Sequence, residues 1–128
     1  VKLEVPDRLR LFAGFTVNWC VMPHGPAKST GYRFGCDDKS IGYATDFSEI
    51  TSDMVTLFKG VDLLVCDCLR REEHPTHANL AMALELGKRC KVGKIVLTHL
   101  DKSMDYKTLS DEVPAGVQVG YDGMVVTA

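Results

Sequence analysis

The chain of 128 residues has 45% hydrophobic residues, 25% charged residues and a net charge of −2. This length allows one domain, and the composition excludes a disordered chain. The basic side chains are scattered among acidic ones, which argues against nucleic acid as a partner.

Apolar runs are short throughout the sequence. The longest, Leu63–Cys66, lies between Asp62 and Asp67, whereas a membrane-spanning helix needs about 20 apolar residues. No basic segment is followed by an apolar one in the manner of a signal peptide. We therefore expect no membrane partner and a cytoplasmic location.

The five cysteines are odd in number and have no recurrent spacing, which is typical of reduced thiols in a cytosolic protein. Cys66 and Cys68 form a Cys-x-Cys pair that could bind a metal. Residues i and i+2 of a strand share one face, however, and this arrangement favours packing in the core.

Five segments of the first half have the alternation or the β-branched and aromatic content of strands. They are Val1–Val5, Leu9–Phe12, Phe15–Met22, Tyr32–Phe34 and Ile41–Ala44. The third is expected to stop at Pro23, before a loop over residues 24–30. The last two are expected to form a hairpin.

The second half alternates strands and helices, which predicts an α/β layered architecture. The predicted strands are Asp62–Asp67, Lys94–Leu97, Val117–Gly120 and Met124–Val126. The predicted helices run from Thr51 or Ser52 to Lys59, from His77 to Cys90, and from Asp105 to Val113. The second has apolar residues at helical spacing and is the clearest of the three.

Three polar residues follow predicted strands: His24, Asp46 and His99. Loops at strand ends of α/β sheets converge and commonly hold ligands. Two imidazoles and a carboxylate suit zinc, manganese or iron(II). A histidine after a strand is more often a surface or capping residue than a ligand, and Asp46 can start an Asx turn. The residue types alone therefore leave the function open.

The order of several motifs resembles that of the metallo-β-lactamase-fold hydrolases. These motifs are Pro23-His24-Gly25, residues 31–35, residues 42–46, residues 64–69, His74-Pro75-Thr76-His77, residues 97–100, Met104-Asp105 and residues 121–124. The resemblance extends from about Phe15 to the last residue. The most similar branch is that of the phosphodiesterases of phosphonate-utilisation operons, which act on cyclic ribose phosphates.

This resemblance implies an α/β fold, namely half of an αββα sandwich with a mixed sheet and helices on one face. Residues 1–128 would form a single domain, the C-terminal part of such a hydrolase. The family's His-x-His-x-Asp-His metal motif lies upstream of every motif found here, and none of the four histidines is in that pattern. Lys102 stands where many relatives have a further histidine.

The resemblance also implies roles for individual residues. His24 would bind the first of two divalent ions, zinc or manganese; Asp46 would bridge both; and His99 would complete the second. His77 would act catalytically near the substrate phosphate. Asp67 and Asp122 would orient ligand histidines, with ordinary hydrogen bonding at strand ends as the alternative.

The expected parent activity is hydrolysis of a small phosphorylated substrate by a water activated between two metals. With most ligands missing, the chain alone is expected to be inactive, and its exposed sheet face should make it a homo-oligomer. The alternative is a non-catalytic α/β module that binds an anion or a protein. A nucleic-acid-processing relative is disfavoured by the net charge of −2.

Overall fold

A seven-stranded mixed sheet organises the part of the chain that this computed structural model describes, residues 9–12 and 14–128. The strands are β1 Leu9–Phe12, β2 Phe15–His24, β3 Ala27–Cys36, β4 Lys39–Ala44, β5 Leu63–Asp67, β6 Lys94–Thr98 and β7 Val117–Val119. They lie side by side in chain order. The strand predicted at Val1–Val5 lies outside the described residues.

The mode of strand pairing changes once across the sheet, from antiparallel to parallel. Strands β1 to β4 pair antiparallel, and β4 to β7 pair parallel. Consequently β2, β4, β5 and β6 all run in the same direction. Their carboxyl ends lie at one edge of the sheet.

The predicted stop at Pro23 and the loop over residues 24–30 are wrong. Strand β2 continues through Pro23, which pairs with Lys28, and ends at His24. The turn is only two residues long, because Gly25 has a φ of 57° and lets the chain reverse at once.

Three helices complete the fold: α1 Ser52–Phe58, α2 Leu80–Cys90 and α3 Tyr106–Glu112. Each is preceded by a side chain that accepts a hydrogen bond from the first turn, supplied by Thr51, Asn79 and Asp105 respectively. Helix α2 starts three residues later than the predicted His77, because the Asn79 cap fixes its first turn. None of the described helices combines the length and apolar content needed to cross a membrane.

All three helices contribute to one apolar core, as predicted for helices on one face of the sheet. Buried members include Met54 and Phe58 of α1, Leu86 of α2, Leu109 of α3 and Leu64 of β5. Helix α1 lies so close to the sheet that a Cβ atom at Gly31 or Gly42 would come within 3 Å of the Phe58 ring. We call this side the covered face.

The other side of β2, β3 and β4, the open face, carries aromatic and β-branched side chains. Tyr32 and Tyr43 are paired across neighbouring strands and are 38% and 43% exposed, and Val21 is 55% exposed. Residues directly opposite in a ladder project to the same side, so these side chains form a continuous apolar surface.

The predicted strand at Met124–Val126 is absent from the described residues. Gly123 has a φ of 86°, and the Met124 N–H donates to the Tyr121 carbonyl in a turn. Met124 and Val126 line a cleft beside Leu63 and Val96, while Val125 is 92% exposed. The segment therefore packs side chains on the sheet instead of joining its ladder.

Candidate metal centre

Four strands deliver the polar residues of the site to one edge of the sheet. His24 is the last residue of β2, Asp67 is the last of β5, and His99 directly follows β6. Asp46 lies two residues after β4. Since these strands run in the same direction, their ends converge, which is where ligands bind in open α/β sheets.

The side chains of Asp46, Asp67, His77 and His99 form a compact cluster. Each offers a ligand atom, and these atoms lie within 4.8 Å of one another. The Asp46 Oδ1 atom is 3.5 Å from Nδ1 of His77 and 3.7 Å from Nδ1 of His99. The His24 ring contacts this cluster edge-on, with its centroid 4.8 Å from that of His77.

Asp67 is the buried anchor of the cluster. Its Oδ1 is 3.1 Å from His99 Nδ1, and its Oδ2 is 3.1 Å from His77 Nδ1. Oδ2 also accepts the backbone N–H groups of Phe47 and Ala78, at 3.4 and 3.3 Å. Four donors match the roughly four lone-pair positions of an ionised carboxylate, which compensates its complete burial.

Asp67 thereby fixes the protonation of two imidazoles. An ionised carboxylate only accepts hydrogen bonds, so the Nδ1 atoms of His77 and His99 carry the protons. In the neutral ring, Nε2 then keeps its lone pair. A carboxylate behind an imidazole is the usual support of a metal-binding histidine.

His24 has the same tautomer through a different partner. Its Nδ1 is 2.7 Å from the carbonyl oxygen of Thr76, and a carbonyl can only accept. Thr76 also packs on Gly25, where a Cβ atom would lie 2.5 Å from the Thr76 Cγ2 atom. The glycine is therefore needed both for the turn and for the close approach that orients His24.

The backbone at two of these positions is strained. Asp46 and His99 have φ values of 58° and 61°, in the left-handed region that non-glycine residues rarely adopt. Ser29 holds the first of these turns, because its Oγ donates to the Asp46 carbonyl at 2.7 Å. Such strain persists where surrounding contacts enforce it, and it clusters at functional sites.

The donor set suits divalent metal ions. The Asp46 carboxylate and the imidazoles of His24 and His99, which keep their Nε2 lone pairs, supply the oxygen and nitrogen ligands preferred by zinc, manganese or iron(II). Asp46 is half exposed, so an ion can reach its carboxylate. The residues present therefore fit a metal centre.

Cys66 and Cys68 do not extend this site. Both are fully buried in the core, as their strand spacing favours. Burial, and secondarily the Asp67 carboxylate, raises the pKa of Cys68 to about 12, and burial likewise raises that of Cys66 well above its usual value. A thiolate ligand is thereby disfavoured.

Asp122 lies apart from the cluster. It is exposed and lines a groove that also includes His99. The hydrogen bonds described for the three histidines go to Thr76 and Asp67 instead. A supporting role for Asp122 therefore rests on the resemblance alone.

Sequence reasoning missed His74 as a neighbour of the site. Its ring centroid lies 5.2 Å from that of His77, so all four histidines of the chain gather here. Partial burial, the Arg70 guanidinium and His77 lower the pKa of His74. The three-residue spacing between His74 and His77 is a sequence signal for this proximity, although Pro75 between them argues against a shared helical face.

Comparison with known proteins places this fold and site in a class. Residues 2–100 match the sequence profile of the beta-lactamase superfamily domain, and the chain belongs to that superfamily. This confirms the predicted metallo-β-lactamase fold and a hydrolase family. None of the curated proteins matches the chain.

Solved structures support the predicted branch. A diphosphatase of the PhnP family has a TM-score of 0.84 and 29% identity, over 94% of this chain and 46% of that chain. The metallo-beta-lactamase fold protein YhfI from Bacillus subtilis has a TM-score of 0.80 and 23% identity, over 93% and 52%. Human tRNase Z, short form, has a TM-score of 0.75 and 22% identity, over 92% and 44%. The chain spans about half the length of these structures.

Proposed function

We propose that this chain supplies part of a two-metal phosphodiesterase site that acts on a small phosphorylated substrate of the cyclic ribose phosphate type. The observation that carries the proposal is the set of three imidazoles, each with Nδ1 engaged and Nε2 available, around two carboxylates. The similarity to a PhnP-family diphosphatase supports phosphoryl chemistry.

In this proposal His24 and Asp46 would hold one ion, and Asp46 and His99 would hold the other. Bound zinc or manganese ions would lower the pKa of a water and neutralise phosphoryl oxygens. Three protein ligands are few for two ions. We therefore infer that further ligands come from outside these 128 residues.

His77 serves as the proton donor in this proposal. Asp67 holds its Nδ1–H, so the ring presents Nε2 to the reacting group. In its imidazolium form His77 would donate the Nε2 proton to the leaving ester oxygen as the P–O bond breaks, while the oxygen of a hydroxide, formed when the activated water loses a proton to solvent, bonds to phosphorus. Asp67 would stabilise the imidazolium through the hydrogen bond to Nδ1, and the neutral ring would take up a proton from solvent before the next cycle.

A small substrate is favoured over a polynucleotide. The cluster contains two carboxylates, and the net charge is −2 without a basic stripe. The likeness to tRNase Z, at 22% identity, concerns the fold.

The experiment uses the longest form of the protein that its gene encodes. We expect purified protein to contain two divalent ions by elemental analysis and to hydrolyse a ribose cyclic phosphate and a bis-aryl phosphodiester. His99→Ala should abolish turnover and remove one ion while the circular dichroism stays unchanged. Lys107→Ala, at an exposed position of α3, serves as the control.

The 128-residue chain alone should bind little metal and hydrolyse neither substrate faster than buffer. Two tightly held ions and turnover in this chain would contradict the need for outside ligands. A full-length protein that binds no metal and has no turnover would support the non-catalytic module instead.

A further inference from the structure

The fourth histidine of the cluster differs from the other three in its tautomer. The backbone N–H of Thr76 donates to His74 Nδ1 at 3.2 Å, and the Thr76 hydroxyl lies 3.3 Å from the same atom. A backbone N–H can only donate, so Nδ1 of His74 is the unprotonated nitrogen. The proton of the neutral ring is therefore on Nε2.

Thr76 thus imposes opposite tautomers on two histidines. Its carbonyl takes the Nδ1 proton of His24, which leaves a lone pair on Nε2. Its N–H occupies the Nδ1 lone pair of His74, which leaves an N–H donor on Nε2. A metal ion needs a lone pair, whereas a phosphoryl oxygen needs a donor. The two rings are prepared for different partners.

His74 shares its open side with the proposed proton donor. The rings of His74 and His77 are 5.2 Å apart between centroids and tilted by 50°. Both line one groove of about 660 Å³ at the edge of the cluster. Three glutamates and Arg89 also line this groove, so the two imidazoles and Arg89 are the groups there that can attract a phosphoryl oxygen.

We infer that His74 is a substrate-contacting residue whose Nε2–H donates a hydrogen bond to a phosphoryl oxygen of the substrate. The inference rests on the proposed function for the identity of the anion. His74 binds and orients the phosphoryl group without transferring a proton. His77 remains the group that gives its proton to the leaving oxygen.

Two substitutions of His74 test the roles of its two ring nitrogens independently. His74→Asn places an amide oxygen near the Nδ1 position, so the Thr76 contact survives while the Nε2 donor is lost. His74→Gln places an amide N–H near the Nε2 position and keeps the donor. Lys107→Ala, at an exposed position of α3, is the control, because it leaves every contact of the histidine cluster unchanged.

The longest form encoded by the gene is compared with these variants. His74→Asn should keep the metal content and weaken inorganic phosphate binding about tenfold to a hundredfold, the usual loss for one hydrogen bond to an ionic oxygen. The KM for the cyclic phosphate should rise by a similar factor, with a smaller fall in kcat. His74→Gln should recover most of the affinity, and Lys107→Ala should resemble wild type.

Nitrogen NMR of the His74 ring gives a readout that does not depend on activity. Nδ1 should have the shift of an unprotonated nitrogen, and Nε2 that of a protonated one. Wild-type phosphate affinity in His74→Asn would overturn the inference, and so would loss of metal in that variant. If wild type lacks turnover, the proposed function fails, while phosphate binding and ring shifts still decide the role of His74.

Discussion

The two faces of the sheet are built from the same strands but differ in how far their side chains are buried. On the covered face Leu64, Cys66 and Phe58 are fully buried under the helices. On the open face Tyr32 and Tyr43 remain exposed in the chain described. Strands with apolar residues on both sides are made for burial on both sides. We therefore expect the open face to be buried against further protein surface.

The site lies at the carboxyl ends of the strands, at the border between the covered face and the open face. Asp67 follows Val65 by two residues and so belongs to the open-face side of β5, yet it is fully buried. Donors from Phe47 and Ala78 close over it. The hydrogen bonds of Asp67 are thus satisfied within this chain, while the side chains of Asp46 and His99 are about half exposed.

The largest effect is expected on the covered face. Phe58→Ala removes a fully buried ring that packs against β3 and β4, and it should lower the free energy of unfolding by about 3–5 kcal/mol. Urea denaturation measures this. Tyr43→Ala, on the opposite side of β4, is the matched control and should cost far less. Equal losses for the two variants would contradict the distinction between the faces.

A smaller effect is expected from overfilling the covered face. In Gly42→Ala the new methyl would lie 2.8 Å from both Leu64 and Phe58. These side chains must shift, which should cost about 1–3 kcal/mol of unfolding free energy. A thermal melt of this variant beside Tyr43→Phe tests the point. An unchanged melting temperature in Gly42→Ala would show that the helix layer packs more loosely than described.

Much of the fold follows from local sequence patterns. The hairpin of β3 and β4, strands β5 and β6, and α1 with its Thr51 cap all lie within a few residues of their predicted positions. The start of α2 was missed because residues 70–79 are held by distant partners. The Ala78 N–H donates to Asp67, and its carbonyl accepts from Leu69. Local periodicity contains no trace of such contacts.

The site, too, has a part that the sequence predicts and a part that depends on contacts between distant residues. Positions after strands identified His24, Asp46 and His99 as residues at one sheet edge, because strand direction alone decides that placement. The contact between His24 and Thr76 spans 52 residues along the chain, and no spacing rule could reveal it. The tautomer of His74 depends on the same residue and was equally invisible in the sequence.

Substitutions on the open face should change the self-association of the chain more than its free energy of unfolding. Exposed apolar surface of this kind promotes self-association, so we expect the 128-residue chain to form dimers or larger oligomers. Replacing Tyr32 and Tyr43 by lysine should yield a monomer in analytical ultracentrifugation at micromolar concentration. Its unfolding free energy should change by less than about 1 kcal/mol, as for other surface substitutions. A monomeric wild-type chain would remove the basis of this prediction.

The smallest expected effect concerns the rate at which a thiol reagent labels the cysteines, which reports how well the covered face is protected from solvent. Cys20, Cys66, Cys68 and Cys90 are buried, whereas Cys36 is exposed at the end of β3. Burial raises the pKa of Cys66, Cys68 and Cys90, so few thiolates form there at neutral pH. Under native conditions a thiol reagent should therefore label one cysteine rapidly, and all five only in denaturant. Cys36→Ser should remove the rapid phase without altering the slow one. Rapid labelling of a second cysteine would mean that the covered face opens in the folded chain. The two faces would then differ less in solvent accessibility than their burial indicates.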